Sequence, residues 1–212
     1  MTDKIQITIA RQYGSGGRRV GEKLAELLGF RYVDRELITV AAKKSGLAPE
    51  VLSRADEKAS GSLLYTLAMG SNLYGLHAHN GPTFGHLEMP INDKLFIVQS
   101  DVIKEMANET SCVFVGRCAD YVLSDHPGRV SVFLYASDEV RIKRIAEEHG
   151  LTDKEAAEAI AKTDKRRMNY YSFYTGGVWG RYENYNLMLD TSVLGVDKTA
   201  EVIAEYVKRI FK

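Results

Sequence analysis

Short apolar runs alternate with longer amphipathic stretches along most of the chain. In the first run Ile5, Ile7 and Ile9 alternate with Gln6 and Thr8, which predicts a β-branched strand of about six residues. The run at 111–115 is almost wholly apolar, as expected for a strand that is buried on both faces of a sheet. The remaining strands are predicted at residues 30–33, 130–135 and 185–189.

The stretches between the strands carry the period and the end signals of helices. Ser137 is placed to cap a helix that ends at Gly150, and residues 152–155 have the form of a capping box for a further helix. The helix after the first strand is predicted to end near Gly29 and to bury Val20, Leu24, Leu27 and Leu28. Helices are also predicted at 35–45, 49–58, 92–108 and 197–211. The last of these is predicted to turn inward Val202, Ile203, Tyr206, Val207 and Ile210.

Residues 59–92 interrupt this alternation with five glycines, two prolines and three histidines. They predict an irregular insert with one short helix near 62–69. Elsewhere strands alternate with helices, which predicts an α/β fold with a parallel five-stranded sheet and helices on both faces. The apolar side chains of the insert leave two roles open, an acceptor-binding lobe or a subunit contact in a homo-oligomer.

The composition narrows the function classes. The chain has 212 residues, of which 45% are hydrophobic and 26% are charged, so it is long enough to bury a sizeable core. It carries 28 Lys and Arg against 28 Asp and Glu. A net charge of zero argues against a general nucleic-acid binder, which normally has a basic excess. An anion site must therefore come from local clustering of charge.

The sequence predicts a cytoplasmic protein. It has no run of 18 apolar residues, and its first residues lack the charged-then-apolar pattern of a signal peptide, so no membrane association is expected. Cys112 and Cys118 are interpreted as small buried residues in a reducing compartment, because two cysteines do not make a disulfide framework.

A glycine-rich turn with flanking arginines is the main candidate for chemistry. It follows the first strand and opens a helix, and ligands of open parallel sheets collect at such strand ends. Glycines let backbone N–H groups approach an anion, and a helix N-terminus adds about half a positive charge. We predict a polyphosphate-binding loop, with a turn of solvated arginines as the alternative. The loop residues are Gly14, Ser15, Gly16, Gly17, Arg18 and Arg19.

The loop departs from the P-loop pattern G-x-x-x-x-G-K-[ST]. With Gly17 set at the last glycine, Gln12 takes the first glycine, Arg18 the lysine and Arg19 the Ser or Thr. Arg18 can still neutralise phosphate oxygens, whereas Arg19 cannot ligate Mg²⁺ as a hydroxyl would. The sequence therefore does not identify metal ligands.

Other charged residues follow the later strands or lie on helices. Arg117 suits a second phosphate-bearing ligand, with a surface salt bridge as the alternative. Asp34 suits a sugar or base and Asp120 a ligand contact, although each also suits the start of a helix. Arg141 and Arg144 are three apart and share a helix face, which is either functional or solvated.

Residues 162–182 form a basic, aromatic segment. Five basic residues face one acid, Asp164, which gives a net charge of +4 (5 − 1) in a neutral protein. We predict a lid, because phosphoryl transfer needs charge neutralisation and exclusion of water. The alternatives are a basic helix end with an aromatic-packed loop, and a platform for single-stranded nucleic acid. The basic residues are Lys162, Lys165, Arg166, Arg167 and Arg181.

Three histidines lie in the glycine-rich insert, namely His77, His79 and His86. We interpret them as ordinary loop histidines. Metal binding is the less favoured alternative, because no second cluster of ligands lies nearby in the sequence.

Together these residues resemble the cytidylate kinase-like family, a branch of the P-loop nucleoside monophosphate kinases. The matching segments keep the order of the family over nearly the whole chain and lie at 9–18, 32–38, 113–121, 133–137, 164–176 and 189–192. Authentic cytidylate kinases have Gly-Lys-Ser where this chain has Gly17-Arg18-Arg19, and Gly-Arg-Asp where it has Gly116-Arg117-Cys118. Their lid pattern is not reproduced at 164–170.

The resemblance implies a three-layer P-loop kinase fold. It implies a core at 1–45, 93–160 and 185–212, an acceptor-binding insert at 46–92 and a lid at 161–184. It also implies that the γ-phosphate of ATP is transferred, with Mg²⁺, to a nucleoside monophosphate, which in authentic cytidylate kinases is CMP or dCMP.

The family's functional residues carry over by position. Residues 14–19 become the ATP phosphate loop. The catalytic residues are predicted to be Arg18, Arg117, Arg166 and Arg167. The acceptor contacts are predicted to be Asp34, Arg117, Asp120, Arg141 and Lys165. The leading hypothesis is therefore a nucleotide kinase that acts on a CMP-like, dCMP-like or related small acceptor; the alternatives are a non-catalytic nucleotide-binding regulator and an RNA-binding protein that uses the lid.

Overall fold

The computed structural model describes residues 4–34, 40, 44 and 91–211. The strands are β1 (Gln6–Arg11), β2 (Arg31–Val33), β3 (Cys112–Val115), β4 (Arg129–Tyr135) and β5 (Leu187–Asp190). The helices are α1 (Gly17–Leu28), α2 (Ile91–Glu109), α3 (Ala119–Val122), α4 (Asp138–His149), α5 (Asp153–Thr175) and α6 (Thr191–Ile210). A 3₁₀ turn spans Tyr182–Asn184.

The five strands form one parallel sheet in the order β2-β3-β1-β4-β5. β1 lies at its centre, where Ile7 pairs with Val113 of β3 on one side and with Val130 of β4 on the other. The predicted α/β fold with a five-stranded parallel sheet is confirmed. Because all strands run the same way, their carboxyl ends meet at one edge.

Helices cover both faces of the sheet, as predicted. On one face α1 and α6 pack against β1, β3 and β4 through an apolar cluster that includes Val20, Leu24 and Ile203. On the other face α2 and α3 pack against β3, where Ile103 and Phe114 are almost wholly buried. Each parallel strand of the centre is therefore covered twice, which agrees with its apolar sequence.

A buried glutamine fastens α2 to the sheet. Gln6 is fully buried in β1, and its Nε2 donates to the backbone carbonyls of Ala107 (2.8 Å) and Thr110 (3.0 Å). Its Oε1 accepts from the backbone N–H of Cys112 (3.1 Å). The side chain thus satisfies its own polar atoms and fixes where α2 ends and β3 begins.

The predicted helix ends are confirmed. Gly29 and Gly150 follow α1 and α4 in the left-handed conformation, with φ of 68° and 65°. Ser137 accepts from the backbone N–H of Val140, and Thr152 forms a reciprocal capping box with Glu155. These capping residues thus begin and end the helices at the positions predicted from the sequence.

Three residues predicted to face inward do not. Leu27 is 40% exposed, Val202 41% and Ile210 48%. The buried stripe of α6 consists of Thr199, Ala200, Ile203, Ala204 and Val207. Val202 stands beside that stripe, and Leu27 and Ile210 lie in the last turns of their helices. Helix α6 begins at Thr191, earlier than predicted. It is interrupted at Gly195 (φ 71°), and the helix predicted at 197–211 follows this interruption.

Several predictions fall outside the described residues. They are the helix at 49–58, most of the helix at 35–45, the irregular insert with its short helix near 62–69, and the three histidines of that insert. Among the helices within 4–34 and 91–211, none is both long and apolar enough to span a membrane.

Candidate active site

The glycine-rich loop lies between the central strand β1 and α1. Gly14 and Gly16 have φ of 78° and 76°, a backbone conformation that a side chain would strain. Gly16 is the N-cap of α1 and carries no capping side chain. The first N–H groups of α1 therefore have no partner within the helix, and they point to the loop as an anion-binding feature.

The loop is held from behind by α4, α5 and α6. Asp164 of α5 accepts from the backbone N–H of Tyr13 (2.7 Å) and from Nη1 of Arg141 (2.5 Å), and Arg141 also donates to the Tyr13 carbonyl (3.2 Å). From α6, the Thr191 hydroxyl donates to the carbonyl of Ser15 (2.6 Å). These bonds use the loop carbonyls and fix the shape that the loop presents to a ligand.

Arg18 and Arg19, the two arginines of the predicted phosphate loop, are both exposed. Arg18 is about half exposed, and its Nε lies 3.2 Å from Glu22 and 3.6 Å from Asp34. Arg19 is exposed, and its charge lowers the pKa of Arg144, second to the effect of burial. Arg144 itself donates to the Gly14 carbonyl (2.5 Å). The arginine over the loop carbonyls is thus supplied by α4.

A cavity of about 280 Å³ opens beside the loop, at the carboxyl ends of β1 and β3. Four arginines line it, with two carboxylates and an aromatic wall. The lining residues are Ala10, Arg11, Asp34, Val115, Gly116, Arg117, Cys118, Asp120, Thr163, Arg166, Arg167, Tyr170, Tyr171 and Trp179. The charge of these side chains suits an anionic ligand that also carries a flat or apolar part.

The turn after β3 has an unusual backbone. Gly116, Arg117 and Cys118 all have positive φ, at 83°, 59° and 53°. In the described part of the chain, Arg117 and Cys118 are the residues other than glycine with this conformation. Such a run is strained for side-chain-bearing residues, and it brings Arg117 to the cavity rather than continuing the strand.

Desolvation and a neighbouring like charge disfavour the charged state of arginines that line the cavity. Burial lowers the pKa of Arg11, Arg117 and Arg167, and the charge of Arg11 lowers the pKa of the other two further. Arg167 donates to the Arg11 carbonyl (2.8 Å), so its side chain is held in place. A bound anion would offset this repulsion, which is the electrostatic reason to expect one here.

A buried carboxyl faces the same space. Asp120 is 6% exposed, and burial raises its pKa, an effect that a hydrogen bond with Tyr171 partly offsets. Within the described residues its Oδ2 has no hydrogen-bond partner. A ligand that donates a hydrogen bond would satisfy this oxygen. Asp34, at the end of β2, accepts from the Tyr32 hydroxyl (3.3 Å).

Aromatic side chains of α5 and of the turn after it form one wall of the cavity. Tyr170 and Tyr174 pack on Phe96 of α2: the ring centroid of Phe96 lies 6.3 Å from that of Tyr170 and 4.2 Å from that of Tyr174. Trp179 stands edge-on to Phe133 at 5.2 Å. The segment that the sequence predicts to be a lid therefore comprises the second half of one long helix, α5, and the residues after Gly176, which ends that helix with φ of 67°.

Some predicted site residues meet at this cavity and others do not. Those that line it are Asp34, Arg117, Asp120, Arg166 and Arg167. Arg141 is buried behind the loop with its guanidinium on Asp138 (2.6 Å) and Asp164, so it is neither a solvated residue nor a lining one. Lys165 is exposed and does not line the cavity.

Nine of the lining residues were not among the predicted site residues. Five of these nine carry a guanidinium, hydroxyl or aromatic side chain, namely Arg11, Thr163, Tyr170, Tyr171 and Trp179. Arg11 had a signal in the sequence. It is the last residue of β1, and in a parallel sheet that end lies at the same edge as Gly116 and Arg117.

The described residues do not fit a Mg²⁺ site built by the protein. Positions 18 and 19 are both arginines, and the Ser15 hydroxyl donates to the Gln12 carbonyl (2.8 Å). Across residues 4–34 and 91–211 no three side chains among His, Cys, Asp and Glu group closely enough to hold a metal ion. Cys112 and Cys118 are buried, as predicted.

Two solved kinases share the fold at low identity. The shikimate kinase from Acinetobacter baumannii in complex with shikimate has a TM-score of 0.51 and 14% identity, covering 99% of this chain and 96% of that one. The shikimate kinase from Bacteroides thetaiotaomicron has a TM-score of 0.51 and 12% identity, covering 96% and 98%. These likenesses show the fold alone.

Two further comparisons bear on the family. An uncharacterized protein from Eubacterium ventriosum ATCC 27560 has a TM-score of 0.69 and 26% identity, covering 97% of this chain and 99% of that chain. No curated protein matches the sequence. The model of the cytidylate kinase-like family matches residues 6–193. With that match over most of its length and a P-loop kinase fold, the chain belongs to the cytidylate kinase-like family.

Proposed function

We propose that the protein is an ATP-dependent phosphotransferase that moves the γ-phosphate to a nucleoside monophosphate, CMP-like or dCMP-like, or to a related small acceptor. The observation that carries the proposal is the arginine-lined cavity at the carboxyl ends of β1 and β3, where the lining residue Arg11 packs against Gly17 of the glycine loop. The kinase-like family supports use of a nucleotide in general. The proposal adds the turnover of ATP and the identity of the acceptor.

In this proposal the loop and the cavity hold different phosphates. The amides at the start of α1 bind the donor triphosphate. Arg117, Arg166 and Arg167 bind the acceptor phosphate and the charge that spreads over the transferred group. Asp34 and Asp120 accept hydrogen bonds from the sugar or base of the acceptor. The aromatic wall excludes water from the reacting groups.

The transfer balances without a protein base when the acceptor is a phosphate. An oxygen of the acceptor phosphate attacks the γ-phosphorus, and the bond from that phosphorus to the bridging oxygen of ATP breaks. ADP leaves with the electron pair, and the attacking oxygen has no proton to lose. The chain then needs to supply position and positive charge, which is what the lining arginines offer.

The test is ³¹P NMR of the purified protein with ATP, Mg²⁺ salt and one acceptor at a time: CMP, dCMP, UMP, AMP or GMP. The proposal expects the resonances of ADP and of one nucleoside diphosphate to grow together. Unchanged ATP with every acceptor would reject turnover. The control variant is Arg209→Ala, which changes an exposed arginine paired with Glu205 and should give the same ³¹P spectra as the wild-type protein.

The second candidate is a nucleotide-binding regulator without turnover. It is favoured by the pairing of Arg18 with Glu22 and Asp34, and by the arginines at positions 18 and 19, neither of which offers a hydroxyl to a metal ion. A ligand at 100 times its Kd stabilises a protein by about 2.7 kcal/mol, which for this chain length raises Tm by roughly 5–11 °C. Such a shift with ATP or CMP, together with unchanged ³¹P resonances, would identify the regulator.

A further inference from the structure

The side chain of Arg11 runs between two glycines. It starts beside Gly17, the first residue of α1, where a Cβ would lie 2.7 Å from the Cβ of Arg11 and 2.8 Å from its Cγ. It ends beside Gly116, where a Cβ would overlap with its Nη1. Both positions must lack a side chain for Arg11 to pass. The chain therefore keeps a path open from the glycine loop to the turn after β3.

Burial lowers the pKa of Arg11, and the nearby charge of Asp34 raises that pKa while the charge of Arg18 lowers it. The charge of Arg11 in turn lowers the pKa of Arg117 and Arg167, after the larger effect of burial. In the described part of the chain Asp34 forms its ion pair with Arg18, and Asp164 forms its ion pairs with Arg141 and Arg167, so neither carboxylate pairs with Arg11. A desolvated guanidinium without a paired acid among these residues is costly for folding alone.

The start of α1 shows which P-loop position this guanidinium serves. The helix begins at Gly17 after the N-cap Gly16, so anchoring the pattern G-x-x-x-x-G-K-[ST] on the helix start places the lysine at Gly17 and the first glycine at Arg11. This register is one residue earlier than the one expected from the sequence, which set Arg18 at the lysine. The position of the missing lysine side chain is next to Arg11.

We infer that Arg11 binds the terminal phosphate of the donor nucleotide, in place of the loop lysine, from a strand position that also faces the acceptor cavity. This inference rests on the proposed function, because it assumes that a nucleotide triphosphate occupies the loop. The guanidinium fork offers two parallel N–H donors where a lysine offers one charge point. Arg11 therefore stands between the two phosphates that exchange the phosphoryl group.

The test is calorimetric titration of ATP, ADP and AMP into the wild-type protein and into Arg11→Ala. Loss of hydrogen bonds to a charged group predicts roughly 10- to 150-fold weaker ATP binding, a smaller loss for ADP and little change for AMP. Arg18→Ala and Arg209→Ala serve as controls, and each is expected to lose less ATP affinity than Arg11→Ala. Urea unfolding of each variant, without ligand, confirms that it folds.

Three results would overturn the inference. If the Arg11→Ala and Arg209→Ala variants bind ATP with the same affinity, Arg11 does not bind the terminal phosphate, whereas the proposed function is not contradicted. Equal losses for ATP, ADP and AMP would make Arg11 a structural residue. A wild-type protein that binds none of the three nucleotides would overturn both the inference and the proposed function.

A swap variant tests the position rather than the charge. In the double variant Arg11→Gly with Gly17→Lys, the cation moves to the ordinary P-loop position and the space beside it is vacated. We expect it to bind ATP at least tenfold more tightly than Arg11→Ala. The swap variant could unfold at the same urea concentration as Arg11→Ala and still bind ATP no more tightly than Arg11→Ala. That result would contradict the inference that Arg11 replaces a loop lysine.

Discussion

Asp164→Asn removes one charge from the contact that holds the glycine loop against α5. The Asp164 carboxylate accepts from the Tyr13 N–H and from Arg141. The side chain of Asp164 is 15% exposed and that of Arg141 is 8% exposed. An asparagine is neutral and has one acceptor oxygen, so its N–H₂ group faces either the Tyr13 N–H or the guanidinium, where it cannot accept a hydrogen bond. Of these two acidic partners Arg141 then keeps only Asp138, which is 80% exposed.

The expected loss of stability follows from burial. Removing one partner of a buried ion pair costs about 3–5 kcal/mol, and the lower end applies because Asp138 still contacts the other nitrogen. We therefore expect Asp164→Asn to lower the free energy of unfolding by about 3 kcal/mol. For a chain of this length, that lowers Tm by roughly 6–12 °C.

The matched control is Glu205→Gln, which makes the same chemical change in an exposed pair. Glu205 and Arg209 are 59% and 72% exposed, so this change should lower the free energy of unfolding by about 0.5 kcal/mol or less. Urea unfolding followed by circular dichroism measures both variants. A difference between them below about 0.5 kcal/mol would refute the reasoning that Asp164 holds the loop as a buried pair.

Two further substitutions test the cavity, and a third serves as a control. Asp120→Asn should raise the free energy of unfolding at neutral pH, because burial raises the folded pKa of this carboxyl and its ionisation therefore costs stability as the pH rises. In urea unfolding at a series of pH values, the difference from wild type should vanish below the unfolded pKa of about 4. The same variant should bind CMP more weakly, measured by calorimetry, if the unpartnered oxygen contacts the acceptor; tighter or equal binding would argue against that contact. Gly116→Ala should weaken ATP binding roughly tenfold or more because it displaces Arg11, whereas Gly29→Ala, with a similar φ and open space around it, should change stability by about 1 kcal/mol and leave ATP binding unchanged. Equal ATP affinities of the two alanine variants would contradict the path proposed for Arg11.

The sequence predicted elements whose signals are local. Apolar runs located the strands, and Ser137, Gly150 and Thr152 located helix ends, because a cap needs only its own few residues. Burial at helix margins was predicted less well. Val202 has the right residue type for the core, but the sheet covers only the stripe through Ile203 and Val207.

The site residues divide in the same way. Arg117 and Asp34 follow strands, and the edge rule for parallel sheets placed them at the cavity. The contact of Arg141 with Asp164 joins two helices over 23 residues of sequence, and no spacing rule indicates it. Arg11 depends on two glycines, one six residues later and one on a different strand end, that approach it only after folding.

In the proposed function the glycine loop and the arginine-lined cavity hold two phosphates side by side. A crystal structure of the protein grown with ADP and CMP would show where the two phosphates bind. We expect the ADP β-phosphate on the amides of Gly16 and Gly17, and the CMP phosphate within hydrogen-bond distance of Arg117 and Arg167. A nucleotide pair bound elsewhere on the protein, with the cavity between those arginines empty, would contradict it.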